Sequence, residues 1–302
     1  MSAVTVPKGA INLAALVYTP PSSRPAKQPV LIIVHPGGGV KEQAASLYAS
    51  KIAERGLITL CFDASHQGES GGEPHFLEDP NSRISDVWAV VDYLQTQDFV
   101  DPERIGVLGI CAGGGYAVAA AKADYRLKAV AAVSLVNIGE IARRGWRGSE
   151  DPRKHVKSLK LAAVQMTAEV TVGAERAMAG YVSSTPGQST PYDLKQAVDY
   201  YFTPRAQHPR AANKMLVSSM PRLLNFDAFH LADIYLTQPM LLVGGEKAES
   251  RWHTEKLDEL VGGVTRKVIV PGGTHMDFYD EPQYVEIAVK NIAEFMLERL
   301  TN

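Results

Sequence analysis

Short apolar runs alternate with helical patterns along the N-terminal part of the chain, and this alternation limits the folds that it can adopt. The runs are rich in β-branched side chains, as in strands buried on both faces, and lie at residues 30–35, 57–63, 105–110 and 129–136. The helical period appears between them, at residues 41–55, 83–96 and 112–123. Repeated β-α-β units of this kind predict an α/β fold with a mostly parallel sheet and helices on both faces.

The alternation stops after residue 138 and resumes near residue 233. The intervening residues show no convincing buried strand, only helical stretches at 155–168, 173–181 and 194–201. Strand patterns then return at 240–243 and 267–270, with helices at 254–260 and 283–300. We therefore predict a core of residues 1–138 and 233–302 and a helical insertion, residues 139–232. Such an insertion would form a lid above the C-terminal ends of the strands, where ligands bind in open α/β sheets.

The strongest local signal lies between a predicted strand and a predicted helix, in Gly109-Ile110-Cys111-Ala112-Gly113. A nucleophile elbow has this context, and its tight turn needs small neighbours around a strained central residue. The side chain of Cys111 would point out above the sheet at the N-terminus of a helix, where backbone N–H groups favour a thiolate. We predict that Cys111 is a nucleophile. The alternative is a small buried cysteine that only fills the turn.

A glycine-rich segment follows the strand at residues 30–35 and is predicted to form an oxyanion hole. Such a hole needs backbone donors directed at developing negative charge. Gly37 or Gly38 can supply one N–H beside that of Ala112, and His35 would shape the pocket. The alternative is a flexible glycine turn. A phosphate-binding loop fits less well, because neither its Lys-Ser/Thr ending nor a dinucleotide spacing is present.

The general base is expected on a loop after the last strand, and His275 lies directly after residues 267–270. Chain order favours it, because the elbow arrangement runs nucleophile, acid, histidine. His230 and His253 are alternatives that can line the pocket. The other histidines lie in polar or loop-like settings or, in the case of His35, in the glycine-rich segment.

The acid that orients the histidine should follow the strand at residues 240–243. Glu249 is the preferred candidate, and Glu246 lies in the same loop. Asp227 and Asp233, just before the strand, are further alternatives. Either glutamate can also be interpreted as a solvated loop charge.

Composition excludes several other classes of function. With 45% hydrophobic and 21% charged residues, the 302-residue chain has the profile of an ordinary soluble globular protein. Its formal net charge of −2 gives no reason to expect nucleic acid or an anionic membrane as a partner. The two cysteines fit a reducing cytosol better than a disulfide framework, and neither has zinc-finger spacing. We expect a cytoplasmic protein without a metal or cofactor.

Four segments carry a resemblance to a known superfamily, namely residues 35–43, 62–70, 109–116 and 274–280. They resemble the α/β-hydrolase superfamily, and more narrowly its dienelactone-hydrolase-like branch, in which cysteine nucleophiles occur. They are also similar to fungal polyketide transferases and thiohydrolases. The resemblance implies an α/β-hydrolase fold, Cys111 as nucleophile and His275 as base. Two departures are the insertion, which dienelactone hydrolases proper lack at this length, and Glu249, where similar proteins often have aspartate.

Three hypotheses about function follow. The first is a cofactor-free hydrolase that cleaves an ester, lactone or thioester through a Cys-His-acid triad and a covalent acyl-enzyme. The second is an acyltransferase, in which another acceptor replaces water. The third is a non-catalytic ligand-binding protein on the same scaffold. The expected partner is a small acyl compound, not nucleic acid or a membrane, and a homodimer is compatible with the sequence.

Overall fold

The computed structural model describes residues 1–21, 27–171, 173 and 175–301. In chain order, its strands are β1 (Ser2–Lys8), β2 (Ile11–Tyr18), β3 (Gln28–Val34), β4 (Ile58–Phe62), β5 (Val100–Ile110), β6 (Leu127–Val133), β7 (Met178–Gly180), β8 (Lys214–Leu216), β9 (Met240–Gly245) and β10 (Thr265–Val270). Its α-helices are α1 (Ala44–Ala53), α2 (Pro80–Gln95), α3 (Ala112–Ala121), α4 (Ile138–Arg144), α5 (Val156–Ala168), α6 (Tyr192–Phe202), α7 (Met220–Asn225), α8 (Ala232–Tyr235), α9 (Trp252–Val261), α10 (Asp277–Asp280) and α11 (Pro282–Thr301). Two 3-10 helices span Pro152–His155 and Val217–Ser219.

Eight strands form one sheet in the spatial order β1-β2-β4-β3-β5-β6-β9-β10. The first two strands pair antiparallel with each other, β2 pairs antiparallel with β4, and the remaining neighbours are parallel. Helices α1 and α11 pack together on one face, while α2 and α3 pack together on the other. The predicted α/β class, with a mostly parallel sheet between helices, is confirmed.

Burial along each strand explains the sequence patterns. The residues of β4 are all buried, and so are those of β3 after Gln28, because helices cover both faces at the centre of the sheet. In β2, buried and partly exposed residues alternate, as expected for a strand near the edge. The edge strand β1 was not predicted. It has one neighbour in the sheet and little buried surface, so its apolar pattern is weak.

The described residues between β6 and β9 form helices α4 to α8, the two 3-10 helices and a small antiparallel sheet of β7 and β8. The prediction of a helix at 173–181 is wrong for the described residues of that range, which include β7; residue 174 lies outside the described residues. Pairing of Gly180 with Lys214, extended by a hydrogen bond from the N–H of Tyr181 to the carbonyl of Asn213, outweighs the local helical pattern.

The last helix, α11, is 20 residues long and amphipathic. One side is buried under the sheet, with Val285, Val289, Ile292 and Met296 in the core. Its other side is polar. Among the described residues, no helix combines the length and apolar character that crossing a membrane requires.

Candidate active site

Cys111 occupies a strained turn between β5 and α3. Its backbone angles are φ 55° and ψ −122°, outside the range that L residues ordinarily adopt. A Cβ atom on Gly109 would lie 2.2 Å from the carbonyl oxygen of Gly113, and one on Gly113 would lie 2.2 Å from that of Val34. These positions admit only glycine, because the backbone passes so closely. The local geometry is that of a nucleophile elbow.

The sulfur of Cys111 lies among three hydrogen-bond donors. The backbone N–H groups of Ala112 and Gly37 and the hydroxyl of Tyr279 are directed at it. Burial nevertheless dominates and raises the pKa of Cys111 to about 11, against the lowering effect of these donors. The thiol is therefore neutral at pH 7. The thiolate expected from the helix N-terminus is not present, because desolvation of the side chain outweighs the effect of the nearby N–H groups.

The glycine-rich segment brings Gly37 beside the nucleophile. A Cβ atom on Gly37 would lie 3.6 Å from that of Ala112, and the N–H groups of both residues form hydrogen bonds with the sulfur of Cys111. Gly38 lies against the ring of Tyr181, which also packs over Gly37. Two N–H groups so arranged can hold an oxyanion formed on a carbonyl bound to Cys111.

His35 stabilises the glycine-rich segment through buried hydrogen bonds and does not line the cavity. It is 1% exposed, and burial followed by the charge of Arg83 lowers its pKa well below the usual value. Its hydrogen bonds fit a neutral ring, with Nδ1 donating to the carbonyl of Pro36 at 2.7 Å and Nε2 accepting from the N–H of Ala64 at 3.1 Å. Arg83 donates to Nε2 and to the backbone carbonyl of His35, at 2.9 and 2.8 Å.

Glu78, which the sequence analysis did not identify, joins three elements below the site. Its carboxylate accepts hydrogen bonds of 2.5 Å from Tyr116 on α3 and from Tyr181 after β7. Arg83 lies 3.6 Å from the same carboxylate and stacks over the ring of Tyr116. The nucleophile helix, the glycine-rich segment and the insertion are therefore connected through one buried carboxylate.

His275 lies in the same cavity as Cys111 and is fully buried. Its Nδ1 is 2.6 Å from Oγ of Ser250, and its Nε2 is 3.3 Å from the hydroxyl of Tyr279. Burial lowers the pKa of His275 to about 3, so the ring is neutral at pH 7. With the proton on Nδ1 and donated to Ser250, the lone pair of Nε2 faces the nucleophile side of the site.

Glu249 does not orient His275, contrary to the prediction. Its carboxylate accepts hydrogen bonds from the Arg147 guanidinium and, at 3.1 Å, from the N–H of Asp193. The hydroxyl of Ser250, the next residue along the chain, takes the contact with Nδ1 instead. The physical reason is that Arg147, from the insertion, forms an ion pair with Glu249 and holds its carboxylate.

Asp193 on α6 is the buried carboxylate nearest to this loop, although it does not contact the histidine ring. It accepts hydrogen bonds from the backbone N–H groups of His275 and Glu249, at 3.1 and 2.8 Å, and from the Trp146 indole at 2.9 Å. The Trp146 ring also packs edge-on against His275, with a centroid separation of 4.8 Å. Two side chains of the insertion thus fix the histidine loop. Trp146 and Asp193 are far from His275 along the chain, so no local sequence pattern indicates these contacts.

The other predicted acids and histidines have separate roles. Glu246 accepts a hydrogen bond from the N–H of Gly272, and Asp227 accepts one from the Asn137 amide. Asp233 and His230 are exposed. His253 is buried, but it does not line the cavity.

An acidic cluster outside the cavity is formed by Glu42, Asp63 and Glu69, whose oxygens lie close enough to hold a cation. The ammonium of Lys41 already fills that position, at 2.6, 2.8 and 2.7 Å from the three carboxylates. The backbone N–H of Lys41 also donates to Asp63, at 2.8 Å. The cluster therefore ties the end of the glycine-rich segment to the turn after β4.

The cavity above Cys111 has a volume of about 200 Å³. Aliphatic side chains from the insertion form much of its wall, namely Ile141, Ala142, Val182, Leu194, Met215, Met220 and Leu223. No aspartate, glutamate, lysine or arginine occurs among its described lining residues. An uncharged and mostly apolar ligand fits such a site.

The strand order of the main sheet, with a strained turn after its central β5 and a histidine after its last strand, defines an α/β-hydrolase. The chain belongs to the dienelactone hydrolase family, whose sequence pattern matches residues 13–134.

Related proteins support this classification. An uncharacterized protein of Escherichia coli K12, YcjY, is 41% identical over 292 residues, which cover 96% of this chain and 95% of that protein. The crystal structure of a hypothetical protein of Pseudomonas aeruginosa, PA2218, aligns with a TM-score of 0.92 at 32% identity, covering 99% of this chain and 93% of that chain. Similarity to the thiohydrolase aneE of Aspergillus aculeatus is partial, at 34% identity over 108 residues, or 36% of this chain and 34% of that protein.

Proposed function

We propose that this hydrolase cleaves an ester or thioester of a short apolar acid through an acyl-enzyme on Cys111. The observation that carries the proposal is that three functional groups line one cavity. The sulfur of Cys111, the amides of Gly37 and Ala112, and the imidazole of His275 all border the same apolar cavity. A nucleophile, an oxyanion hole and a neutral base together are sufficient for acyl transfer.

The proposed reaction has two halves. The sulfur of Cys111 attacks the carbonyl carbon, the thiol proton passes to Nε2 of His275, and the oxyanion is held by Gly37 and Ala112. The bond to the leaving group then breaks, and the leaving atom takes the proton from His275. In the second half, His275 removes a proton from water, the hydroxide attacks the acyl carbon, and the thiol is restored.

Cavity size limits the acyl group. An apolar cavity of about 150 Å³ accommodates benzene, and the present one is about 200 Å³. An acyl chain of roughly four to eight carbons therefore fills it. A carboxylate or ammonium on that chain would have to lose its water without a partner. We infer that the insertion selects apolar acyl groups by acting as a lid over this space.

The test uses a series of p-nitrophenyl esters from acetyl to dodecanoyl, together with the matching acyl thioesters. We expect the highest kcat/KM at butanoyl to octanoyl. Cys111→Ala should lower turnover by at least about 1,000-fold, because the nucleophile is lost. Cys61→Ala is the matched control, since Cys61 is the other free, buried cysteine and lies outside the cavity. Unchanged turnover in Cys111→Ala would refute the assignment.

A second measurement with the same substrates distinguishes hydrolysis from transfer of the acyl group to another acceptor. Intact-mass spectrometry should show an acyl adduct on the wild type that disappears in buffer alone. An adduct that persists until an alcohol, amine or thiol is added would contradict hydrolysis and favour an acyltransferase.

A further inference from the structure

Tyr279 on α10 lies between the two groups that exchange a proton in the proposed reaction. Its hydroxyl is 3.3 Å from Nε2 of His275 and also forms a hydrogen bond with the sulfur of Cys111. Among the described contacts, Nε2 has no hydrogen bond with Cys111, and its partner is this hydroxyl. The histidine therefore meets the thiol through a second side chain.

We propose that Tyr279 is a catalytic residue that relays the thiol proton of Cys111 to His275. The inference rests on the proposed function, from which it takes the substrate. The chemistry of the relay is argued from the contacts of Tyr279. A tyrosine hydroxyl can accept one proton while it donates another, which is what a relay between a thiol and an imidazole requires.

The relay balances in protons and electrons. As the S–C bond forms, the S–H bond breaks and its proton moves to the oxygen of Tyr279. The phenolic proton moves at the same time to Nε2 of His275, and the electron pair of the carbonyl π bond moves to the oxyanion. In the return step, the proton on His275 goes to the leaving atom, directly or through the same hydroxyl. No oxidant or cofactor takes part.

The charge states of the site without substrate are consistent with a thiol proton that leaves Cys111 only when the sulfur attacks the substrate. The pKa values of Cys111 and His275 are about 11 and about 3, so both groups are neutral at pH 7. A separated thiolate and imidazolium would therefore be scarce before the substrate binds. Burial raises the pKa of Tyr279 well above its usual value, which keeps its phenolic proton available for donation.

Two neighbouring aromatic rings restrict the ring of Tyr279. The ring contacts that of His275, with centroids 5.6 Å apart, and it packs edge-on against Tyr200 at 5.1 Å. Tyr200 is a suitable control residue for Tyr279 because it is also a buried tyrosine but does not line the cavity. Its hydroxyl accepts a hydrogen bond from the N–H of Ala44.

The experiment compares Tyr279→Phe with the matched control Tyr200→Phe, after thermal melts have shown that both variants fold. The first readout is alkylation of Cys111 by iodoacetamide between pH 6 and 10, followed by peptide mapping. Loss of the Tyr279 donor should raise the pKa of Cys111 and slow alkylation at pH 8 by at least about ten-fold. Tyr200→Phe should alkylate at the wild-type rate.

The second readout is turnover of the preferred ester. Tyr279→Phe should lower kcat by about 100-fold and leave KM nearly unchanged, because the donor acts on the reacting atoms. A proton inventory of the wild type in mixtures of H2O and D2O should curve, since two protons move in one step. A linear inventory would overturn the relay.

Alkylation distinguishes failure of the relay from failure of the proposed function. If no ester or thioester is cleaved but alkylation still depends on Tyr279, the substrate proposal fails and the contact with the thiol stands. If alkylation and turnover are both unchanged in Tyr279→Phe, the relay is overturned while the hydrolase remains.

Discussion

Replacing Ser250 by alanine tests how His275 is oriented. The hydroxyl of Ser250 is 2.6 Å from Nδ1 of a fully buried ring, and the structure gives Nδ1 no other described partner. With the proton on Nδ1, Ser250→Ala leaves the Nδ1–H group without an acceptor, which costs about 1–3 kcal/mol of free energy. The ring can then recover a hydrogen bond only by moving its proton to Nε2, which removes the lone pair that the base needs.

A penalty of about 2 kcal/mol corresponds to a decrease of roughly 30-fold in kcat/KM. The assay is hydrolysis of p-nitrophenyl hexanoate at pH 7.5 under subsaturating conditions. Glu249→Gln is the matched control, because Glu249 is adjacent in sequence and contacts Arg147 instead of the ring. We expect its kcat/KM to remain within about three-fold of the wild type, as is usual after loss of a partly exposed ion pair. Full activity of Ser250→Ala together with a large loss in Glu249→Gln would refute this account.

Two further predictions concern stability. His35, His253 and His275 are buried, and burial lowers the pKa of each. The unfolded chain therefore takes up protons near pH 6.5 that the folded chain does not, so stability falls by about 1.4 kcal/mol per histidine for each pH unit below that value. Urea unfolding at pH 7.0 and 5.5 measures this loss, and equal midpoints would contradict it. Asp193→Asn should lower the free energy of unfolding by about 3 kcal/mol, because an amide oxygen cannot replace a carboxylate that accepts from three donors. Guanidinium denaturation tests this, and an unchanged midpoint would show that the three contacts are not stabilising.

The sequence predicts the sheet and the elbow because both depend on local requirements. Continuous apolar runs are needed wherever helices cover both faces of a strand, as in β3 and β4. Glycines at 109 and 113 are needed because no Cβ atom fits there. Such steric demands leave residue types that can be recognised without knowing the rest of the fold.

The partners of the histidine are not predictable in this way. The Nδ1 contact falls on Ser250 and not on Glu249 because an arginine of the insertion binds the glutamate. The neutral thiol of Cys111 is a consequence of burial, which the helix N-terminus alone does not indicate. Tyr279 is close to His275 in sequence, but its position between the imidazole and the thiol depends on how α10 packs.

Trp146 and Asp193 reach from the insertion to the loop that carries His275, so specificity and catalysis are not separable parts of this molecule. A graft that replaces the insertion and does not keep Asp193 and Trp146 would change the acyl pocket. It would also remove the two hydrogen bonds that Asp193 accepts from the N–H groups of Glu249 and His275, and the ring contact of Trp146 with His275. Evolution of a new acyl preference in this family is therefore expected to proceed by single substitutions within the cavity wall. Wholesale replacement of the segment would also need compensating changes in the loops around Glu249 and His275, with the histidine itself kept.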